Sequence, residues 1–275
     1  MPTLLKQSPA FADAPSTTRR SIADLLRPVE QIAIHSPNLV VNHGAKFEIK
    51  GERFEIPRYL FVGPKGGGAP IRIGIFAAIH GDETEGAHAI VRLIKSLDEN
   101  PAFVTGYCLS LYPVCNPTGF EDQTPHSRNG RDLNREFWKN SAEPEVRLLE
   151  NELSTHAFDG IISLHTHTAG EGLYGRVRGV TLTKHLIEPA LKAAEIFLPR
   201  DERSLIEGLP ARNGVIRDGA DGVLSAPPKA RPRPFEITLE TPRNPPSYLK
   251  EYAIVIALQT ILTEYRQLIA YAPNL

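Results

Sequence analysis

Short apolar stretches alternate with amphipathic stretches along most of this chain, and this alternation constrains the fold more than any other feature. The segments at 71–79, 106–114, 159–164 and 235–240 have the length and apolar character of buried strands. After the first of these segments, apolar residues between Ala87 and Leu97 recur at helical spacing, and a long amphipathic stretch occupies 248–271. Because strands that alternate with helices form a sheet covered by helices, we predict one α/β domain with a mixed, mostly parallel central sheet.

The ends of the chain and of its elements can also be predicted. We expect residues 1–20 to be poorly ordered and residues 21–275 to form a single domain, since neither a repeat nor a linker interrupts them. A short helix capped by Ser21 should stop near Pro28. Asp82 and Glu85 have the spacing of a capping box for the next helix. The segment 200–234 is rich in Gly, Pro and charge, which predicts a loop with at most one short strand.

Charge and cysteine content exclude several classes of protein. The chain has 31 basic and 32 acidic side chains, so its net charge of -1 gives no general attraction to nucleic acid or anionic membranes. No window approaches ~18 uninterrupted apolar residues, and the N-terminus lacks a secretory apolar core. Two cysteines, Cys108 and Cys115, exclude a disulfide scaffold. We therefore expect a cytoplasmic protein.

Polar residues stand where the predicted strands end. His80 follows the first buried strand, Glu83 begins the next helix, and His165 follows the third buried strand. Ligands of open α/β sheets collect at the carboxyl ends of strands, and zinc accepts a mixed set of imidazole and carboxylate ligands. These three residues are candidate metal ligands. His167 is an alternative third ligand if the strand continues, but the small residues before Gly170 favour His165.

A carboxylate also ends the fourth strand. Glu240 lies at the carboxyl end of FEITLE, where it could act as a general base toward water. Glu236 lies on the same face of that strand and competes for this role. Its position near the strand start places it away from the carboxyl edge.

The loop 116–137, NPTGFEDQTPHSRNGRDLNREF, is long for a compact domain, and such loops are often functional. It carries Arg128, Arg131, Asn134 and Arg135. Arginine pairs bidentately with carboxylates, and asparagine can add a directed hydrogen bond. This loop is therefore a candidate for binding a substrate carboxylate.

Each of these signals is weak when taken alone. A His-x-x-Glu spacing is usually a solvated helix start, and arginines in a polar loop are usually solvated. The conjunction is more specific, because three candidate ligands and a candidate base all fall at the ends of strands of one sheet.

In combination these motifs resemble the zinc carboxypeptidase family in its broad sense. The matching pieces are HGDE, NPTGF, SRNGRDLNREF, SLHTH and TLETP, in the family's order, over roughly residues 70–245. The family includes digestive carboxypeptidases, murein peptide amidases, aspartoacylase and succinylglutamate desuccinylase. The resemblance implies a phosphorylase/hydrolase-like fold.

The resemblance also implies roles for particular residues. It implies one zinc ion held by His80, Glu83 and His165, with Glu240 as general base and proton shuttle. Arg128 would polarise the scissile carbonyl, a role that Arg131 contests. Asn134 and Arg135 would hold the terminal carboxylate of the substrate.

The chain departs from the family pattern at several points. NPTG has Thr118 where the family usually has Asp, which would alter how that loop is held. No tyrosine lies between Tyr174 and Glu240, so the mobile phenol of digestive carboxypeptidases is absent. The segment 200–238, where a specificity pocket is expected, shows no motif that we recognise. One helix is predicted after Glu240, so we expect no C-terminal β domain of the aspartoacylase type, which favours a compact carboxypeptidase or amidase.

We therefore predict a zinc metallohydrolase that cleaves an amide bond next to a free carboxylate in a small peptide, such as a murein peptide. The first alternative is a deacylase of N-acyl amino acids of the succinylglutamate desuccinylase/aspartoacylase type. The second is a zinc-binding protein without catalytic activity. We expect no nucleic-acid or membrane partner, and the sequence does not indicate the side-chain preference or the oligomeric state.

Overall fold

The computed structural model of this chain describes residues 19–42, 44, 46–168, 170–177, 180–217 and 222–271. The prediction that residues 1–20 are poorly ordered lies outside these residues, apart from positions 19 and 20. The strands are β1 (Leu39–Asn42), β2 (Lys46–Ile49), β3 (Glu52–Glu55), β4 (Arg58–Val62), β5 (Ile71–Ala77), β6 (Tyr107–Tyr112), β7 (Gly160–His167), β8 (Tyr174–Val177), β9 (Leu205–Ile206), β10 (Leu209–Arg212), β11 (Val215–Ile216) and β12 (Phe235–Pro242). The α-helices are α1 (Ile22–Ala33), α2 (Glu85–Glu99), α3 (Pro117–Asp122), α4 (Pro144–Thr155), α5 (Val180–Leu182), α6 (Glu188–Ala194) and α7 (Ser247–Tyr271).

One large sheet organises the molecule, in the strand order β1-β4-β6-β5-β7-β12-β8-β11-β10-β9. The central strands β6, β5, β7 and β12 run parallel to one another. Antiparallel pairs flank this centre, as in β1 with β4, β4 with β6 and β12 with β8. Strands β2 and β3 form a separate hairpin. The predicted fold class, a mixed α/β sheet with a parallel centre and flanking helices, is confirmed.

Alternate side chains of the central strands enter two cores, one on each face of the sheet. Ile75 of β5 packs in a cluster with Ile90 of α2 and Leu258 of α7. Phe76, the next residue, points to the other face, where it stacks on Tyr112 at a centroid distance of 4.5 Å and joins Leu149 of α4. Burial of each such side chain stabilises the folded state by roughly 1.5–3 kcal/mol. Burial on both faces explains why these strands are nearly continuous apolar runs.

Helix α1 does not stop at Pro28, so that prediction is wrong. Ser21 caps the helix as expected and accepts the backbone N–H of Asp24 at 3.1 Å, but the helix continues to Ala33. A proline in a helix interior leaves the carbonyl four residues earlier without its partner. That carbonyl belongs to Asp24, which is exposed to water, whereas Val29 on the opposite face is buried in the core. The buried face therefore outweighs the local cost of the proline.

Two segments contain more strand than their sequence predicts. β7 continues past residue 164 to His167, because Thr166 and His167 pair with Thr241 and Pro242 of β12. The segment 205–216 contains three short strands instead of at most one. Positive φ angles at Glu207–Gly208 and Asn213–Gly214 form the two turns between them. Asn-Gly is a strong signal for a hairpin turn, so the Asn213–Gly214 pair is the sequence feature that indicates the second of these turns.

Among the described residues, no helix combines the length and the apolar character that a membrane span requires.

Candidate metal and active site

Three side chains with nitrogen or oxygen donors meet at the carboxyl ends of β5 and β7. His80 Nδ1 lies 2.8 Å from Glu83 Oε1, and His165 Nδ1 lies 3.1 Å from Glu83 Oε2. The ligand atoms of the three residues all fall within 4.8 Å of one another. The fold therefore brings the three predicted metal ligands together in a group that could hold a metal ion.

A sharp turn after β5 presents His80 and Glu83 to this edge. Ala78 has a φ of 50°, in the left-handed region that residues with a side chain rarely adopt. The backbone N–H of Asn116 donates to the carbonyl of Ala78 at 3.0 Å, and Glu83 N–H donates to the carbonyl of His80 at 3.1 Å. Hydrogen bonds on both sides of the turn thus hold a conformation that is unfavourable in isolation.

The second nitrogen of each imidazole is also engaged. His80 Nε2 donates to Asp132 Oδ1 at 3.2 Å, and the hydroxyl of Ser163 lies 3.0 Å from His165 Nε2. Both Nδ1 atoms therefore face Glu83. Bonds of this kind orient imidazole ligands in metal sites. Sequence reasoning missed Asp132 and Ser163; the available signal was that Ser163 precedes His165 by two residues on the same strand face.

Hydrogen bonding outweighs burial in setting the charges of this group. Burial lowers the pKa of His80, but the bonds to Asp132 and Glu83 raise it to about 10. Burial raises the pKa of Glu83, but His165 and His80 lower it to about 2. A carboxylate beside protonated imidazoles can bind a divalent cation, provided that the cation displaces the imidazole protons.

Glu240 lies beside this group on the floor of the same cleft. In the parallel register of β12 and β7, Glu240 pairs with His165 and Glu236 pairs with Ile161. Glu240 is therefore at the carboxyl edge and Glu236 four residues further inside, as their order predicts. Burial raises the pKa of Glu240 to about 7, although His165 opposes this shift. A carboxyl with such a pKa is suited to exchanging protons near neutral pH.

Asn134 and Arg135 both line the cleft. Asn134 is buried, its Oδ1 accepts the backbone N–H of Leu224 at 2.9 Å, and its Nδ2 lies 3.5 Å from His165 Nε2. Arg135 is exposed and uses one nitrogen to donate to the carbonyl of Asn134 at 2.8 Å. An arginine with spare donors beside a fixed asparagine suits a carboxylate ligand.

The structure does not bring Arg128 to the cleft. Its guanidinium donates to both carboxylate oxygens of Asp122, at 2.7 and 2.8 Å, and to Glu52 at 2.8 Å. It also stacks over the Phe54 ring at 4.8 Å. Arg131, the alternative, is exposed and is likewise not among the residues that line the cleft. Sequence spacing could not reveal this, because Glu52 and Phe54 are more than seventy positions earlier in the chain.

The departure at Thr118 is compensated by a buried acid from another element. The hydroxyl of Thr118 lies 3.1 Å from both Asn116 Oδ1 and Glu145 Oε1, and it accepts the backbone N–H of Arg128 at 3.1 Å. Glu145 is fully buried, and burial raises its pKa. A carboxyl group from α4 therefore stands near the position where the family pattern has an aspartate.

His167, the alternative third ligand, has a different role. Its Nε2 donates to the carbonyl of Gly172 at 3.0 Å, and its ring packs against Tyr174 at a centroid distance of 4.6 Å. It lies on the same strand face as His165 but outside the group of three. The preference for His165 over His167 agrees with this geometry.

A buried ion pair lies behind the ligands. Lys250 of α7 donates to Glu85 Oε1 at 2.5 Å and to the carbonyl of Arg243 at 3.0 Å. The hydroxyl of Thr166 donates to Glu85 Oε2 at 3.3 Å, while the backbone N–H of Thr166 donates to Glu83 Oε2 at 3.0 Å. The pair thus joins the starts of α2 and α7 to the end of β7.

The same contacts show that the predicted capping box is wrong. Thr84, not Asp82, is the residue before α2, and no side chain caps that helix. Asp82 instead accepts a hydrogen bond from Arg243 at 2.8 Å, and Glu85 forms an ion pair with Lys250. Partners from the distant α7 region outcompete the local capping arrangement.

The whole arrangement opens into a cleft of about 1030 Å³. Its floor is the sheet face that carries His165 and Glu240, and its walls include Trp138 and the segment 222–226. The volume is at the upper end of the range for small-molecule sites.

Comparison with known proteins agrees with this geometry. Residues 70–195 match the family model of the succinylglutamate desuccinylase/aspartoacylase catalytic domain. No curated protein matches the chain.

Solved structures share the fold at low sequence identity. A "putative metallopeptidase" of Shewanella denitrificans OS217 superposes with a TM-score of 0.73 at 21% identity, over 88% of this chain and 89% of that one. A metallo-carboxypeptidase from Burkholderia cenocepacia gives 0.69 at 15% identity, over 91% and 70% of the two chains. Thrombin activatable fibrinolysis inhibitor gives 0.67 at 15% identity, over 89% and 74%. These likenesses show that the fold is shared, and together with the match of residues 70–195 to the family model they support the resemblance to the broad superfamily.

The raised pKa of His80 generates a prediction about metal binding. An imidazole with a pKa of about 10 carries a proton at pH 7, and a metal ligand must lose it. Titration with Zn²⁺ at pH 7 in buffers of different ionisation enthalpy should therefore show release of about one proton or more per ion. His80→Ala should release fewer protons, and Zn²⁺ binding without any proton release would contradict the account.

The buried ion pair generates a prediction about stability. Lys250→Met leaves the buried carboxyl of Glu85 without its cationic partner, which should lower the free energy of unfolding by roughly 3–5 kcal/mol. Urea denaturation measures this change. Lys95→Met, at an exposed position of α2, should change it by no more than about 0.5 kcal/mol. Equal effects of the two substitutions would show that the pair does not stabilise the fold.

Proposed function

We propose that this chain belongs to the broad zinc carboxypeptidase superfamily and is a zinc-dependent hydrolase that cleaves an amide bond next to a free carboxylate in a small peptide. One observation carries the proposal. His80, Glu83 and His165 form a group of metal-ligating side chains, and Glu240 lies beside them on the floor of one cleft. Metal ligands and a base within one water-accessible cleft are the parts that hydrolysis of an amide requires.

The donor set supports one zinc ion. Two imidazole nitrogens and one carboxylate are a ligand set that catalytic zinc sites use, with a further position left open. His80, Glu83 and His165 would hold the ion, while Asp132 and Ser163 keep the two Nδ1 atoms turned toward it. When bound, zinc would polarise the scissile carbonyl and activate water.

Glu240 would move the protons of the reaction. Its carboxylate accepts a proton from the attacking water and delivers that proton to the nitrogen of the leaving amine. The pKa of about 7 supports both transfers, because neither protonation state is strongly favoured at neutral pH. Glu236 is four residues further from the ligands and is held by Arg233 at 3.0 Å, which disfavours it as the base.

Asn134 and Arg135 would bind the carboxylate next to the scissile bond. Asn134 is fixed by Leu224, so little side-chain freedom is lost when a ligand binds. Arg135 would supply the charge. No cation is assigned to the carbonyl oxygen, since Arg128 is held by Asp122 and Glu52 outside the cleft.

The size of the cleft favours a peptide over a small acylated amino acid. A volume of about 1030 Å³ leaves room on both sides of the scissile bond. The match to the desuccinylase/aspartoacylase model supports the alternative, a deacylase of N-acyl amino acids. A zinc-binding protein without activity is the least favoured alternative, because it has no need of a base at the position of Glu240.

A cytoplasmic setting is also part of the proposal. It is supported by Cys108 and Cys115, both of which are free thiols.

Removal of the base generates the first functional prediction. Glu240→Gln should lower kcat by about 10²–10⁴-fold on any peptide substrate, because it cannot accept the proton, while one zinc ion per chain remains bound. Steady-state kinetics gives kcat, and metal analysis of the same preparation gives the number of zinc ions per chain. Glu99→Gln, at the exposed end of α2, is the matched control. Full activity in Glu240→Gln would exclude it as the base.

Substrate class generates the second prediction. Zinc-loaded protein should hydrolyse an alanyl dipeptide with a kcat/KM at least about tenfold above that for the N-acetyl and N-succinyl derivatives of the same C-terminal amino acid. The reverse order would establish the deacylase alternative. Hydrolysis that persists after a chelator has removed all metal would contradict the proposed chemistry altogether.

A further inference from the structure

The side chain of Glu240 has a neighbour in the sheet on each side. In the parallel register of β12 against β7 it pairs with His165, and in the antiparallel register against β8 it pairs with Tyr174. Residues directly opposite in an antiparallel ladder project to the same face, with their Cβ atoms roughly 4.5–5.5 Å apart. Because β12 lies between β7 and β8, Tyr174 is the neighbour of Glu240 on the side away from the candidate ligands.

Tyr174 is fully buried, and its hydroxyl is unpaired. Its ring packs with Ile206 of β9 and Ile216 of β11, and it contacts the ring of His167 at a centroid distance of 4.6 Å. The hydroxyl is buried and makes no hydrogen bond to any residue that the structure describes. Buried polar groups nearly always have a partner, and one without a partner destabilises the fold. Phenylalanine would fill the same space without this penalty, so the hydroxyl requires an explanation outside stability.

Two carboxylates lie close enough to act on this hydroxyl. Burial raises the pKa of Tyr174, and the negative charges of Glu240 and Glu207 raise it further. The phenol therefore keeps its proton and remains a hydrogen-bond donor. Glu207 is held by Arg176 in an ion pair, whereas Glu240 has no hydrogen bond or ion pair within the described part of the chain. A donor without an acceptor thus stands beside an acceptor without a donor.

The charge of Glu240 changes during the proposed reaction, and this change gives the hydroxyl a use. A general base becomes neutral when it takes a proton from water, and it becomes negative again when it gives that proton to the leaving amine. A phenol donor at its side stabilises the negative form. An interaction that strengthens as the charge returns accelerates the second transfer, because it is stronger in the transition state than before it.

We propose that Tyr174 is a positioning residue for Glu240, and that its hydroxyl donates a hydrogen bond to the carboxylate as the carboxylate delivers its proton to the leaving amine. The proton moves from Glu240 to the amine nitrogen while the C–N bond breaks, and Tyr174 keeps its own proton. This inference rests on the proposed function, because it concerns the base of that reaction. The packing of the ring fixes the donor, so little side-chain freedom is lost when the bond forms.

Tyr174→Phe tests the inference, because it removes only the hydroxyl. With an alanyl dipeptide as substrate of the zinc-loaded protein, kcat should fall by about 10–100-fold, the effect of losing a hydrogen bond to a charged group, while KM changes by less than about threefold. The thermal midpoint of the metal-free protein should rise by about 2 °C or more, since the unpaired buried hydroxyl is gone. Higher stability with lower activity is the pattern of a group that is retained for catalysis.

Tyr107→Phe is the matched control. The hydroxyl of Tyr107, at the start of β6, is also buried, but it donates to the carbonyl of Leu262 at 2.5 Å. Its removal should lower the thermal midpoint and change kcat by less than about twofold, because a partnered hydroxyl outside the cleft is lost. The two substitutions remove the same atom, yet they should change stability in opposite directions.

Double variants identify the acceptor of the hydrogen bond. In a Glu240→Gln background, Tyr174→Phe should cause no further loss of the residual kcat, because the carboxylate that receives the bond is absent. In a Glu207→Gln background, Tyr174→Phe should lower kcat by the same factor as in the otherwise unmodified protein. The reverse pattern would assign the bond to Glu207 and would overturn the inference.

The outcomes also distinguish this inference from the proposed function. Full activity of Tyr174→Phe, in a protein that hydrolyses the dipeptide when unmodified, would overturn the inference and leave the hydrolase proposal standing. A lowered thermal midpoint of Tyr174→Phe would also overturn it, since the hydroxyl would then stabilise the fold. Absence of amide hydrolysis by the unmodified, zinc-loaded protein would overturn the hydrolase proposal and the inference with it.

Discussion

The carboxylate of Glu83 is the group on which the rest of the site depends. It is buried, and it accepts from both His80 and His165 and from the backbone N–H of Thr166. A buried carboxylate without such partners would be strongly unfavourable, so this one charge specifies where two imidazoles and the end of a strand must lie. In the proposed function, metal binding would use the same geometry, because a divalent cation would replace shared protons among groups that are already in position.

Support for Glu83 comes from several distant parts of the chain. Asp132 and Ser163 hold the second nitrogens of the two imidazoles, and the Glu85–Lys250 pair fixes the strand end from behind. The hydroxyl of Thr241 donates to the carbonyl of His165 at 3.2 Å, which ties β12, and with it Glu240, to the same edge. The strand that carries Glu240 and the three candidate ligands are therefore parts of one hydrogen-bonded unit. Precise positioning of this kind is what a catalytic site requires.

Sequence reasoning placed the three candidate ligands at one edge of the sheet because strand ends in a parallel sheet converge, which is a general property of the fold. The same rule placed Glu240 ahead of Glu236. It could not predict where the Arg128 side chain lies, since the acids that hold this side chain include Glu52 in a distant hairpin.

It also failed wherever tertiary contacts override local preference. Pro28 remains inside a helix whose buried face dominates, and Glu85 pairs with Lys250 rather than capping α2. Sequence spacing also could not predict that Arg176 lines the cleft, because this depends on the register of β8 against β12, which pairs Arg176 with Thr238.

A crystal structure of the protein grown with zinc, with anomalous data collected at the zinc edge, tests the central claim most directly. The account predicts a single strong anomalous peak about 2.0–2.2 Å from Nδ1 of His80, Nδ1 of His165 and the carboxylate of Glu83. A peak at other residues, or imidazoles that remain bonded to Glu83 at saturating zinc with no peak between them, would contradict it.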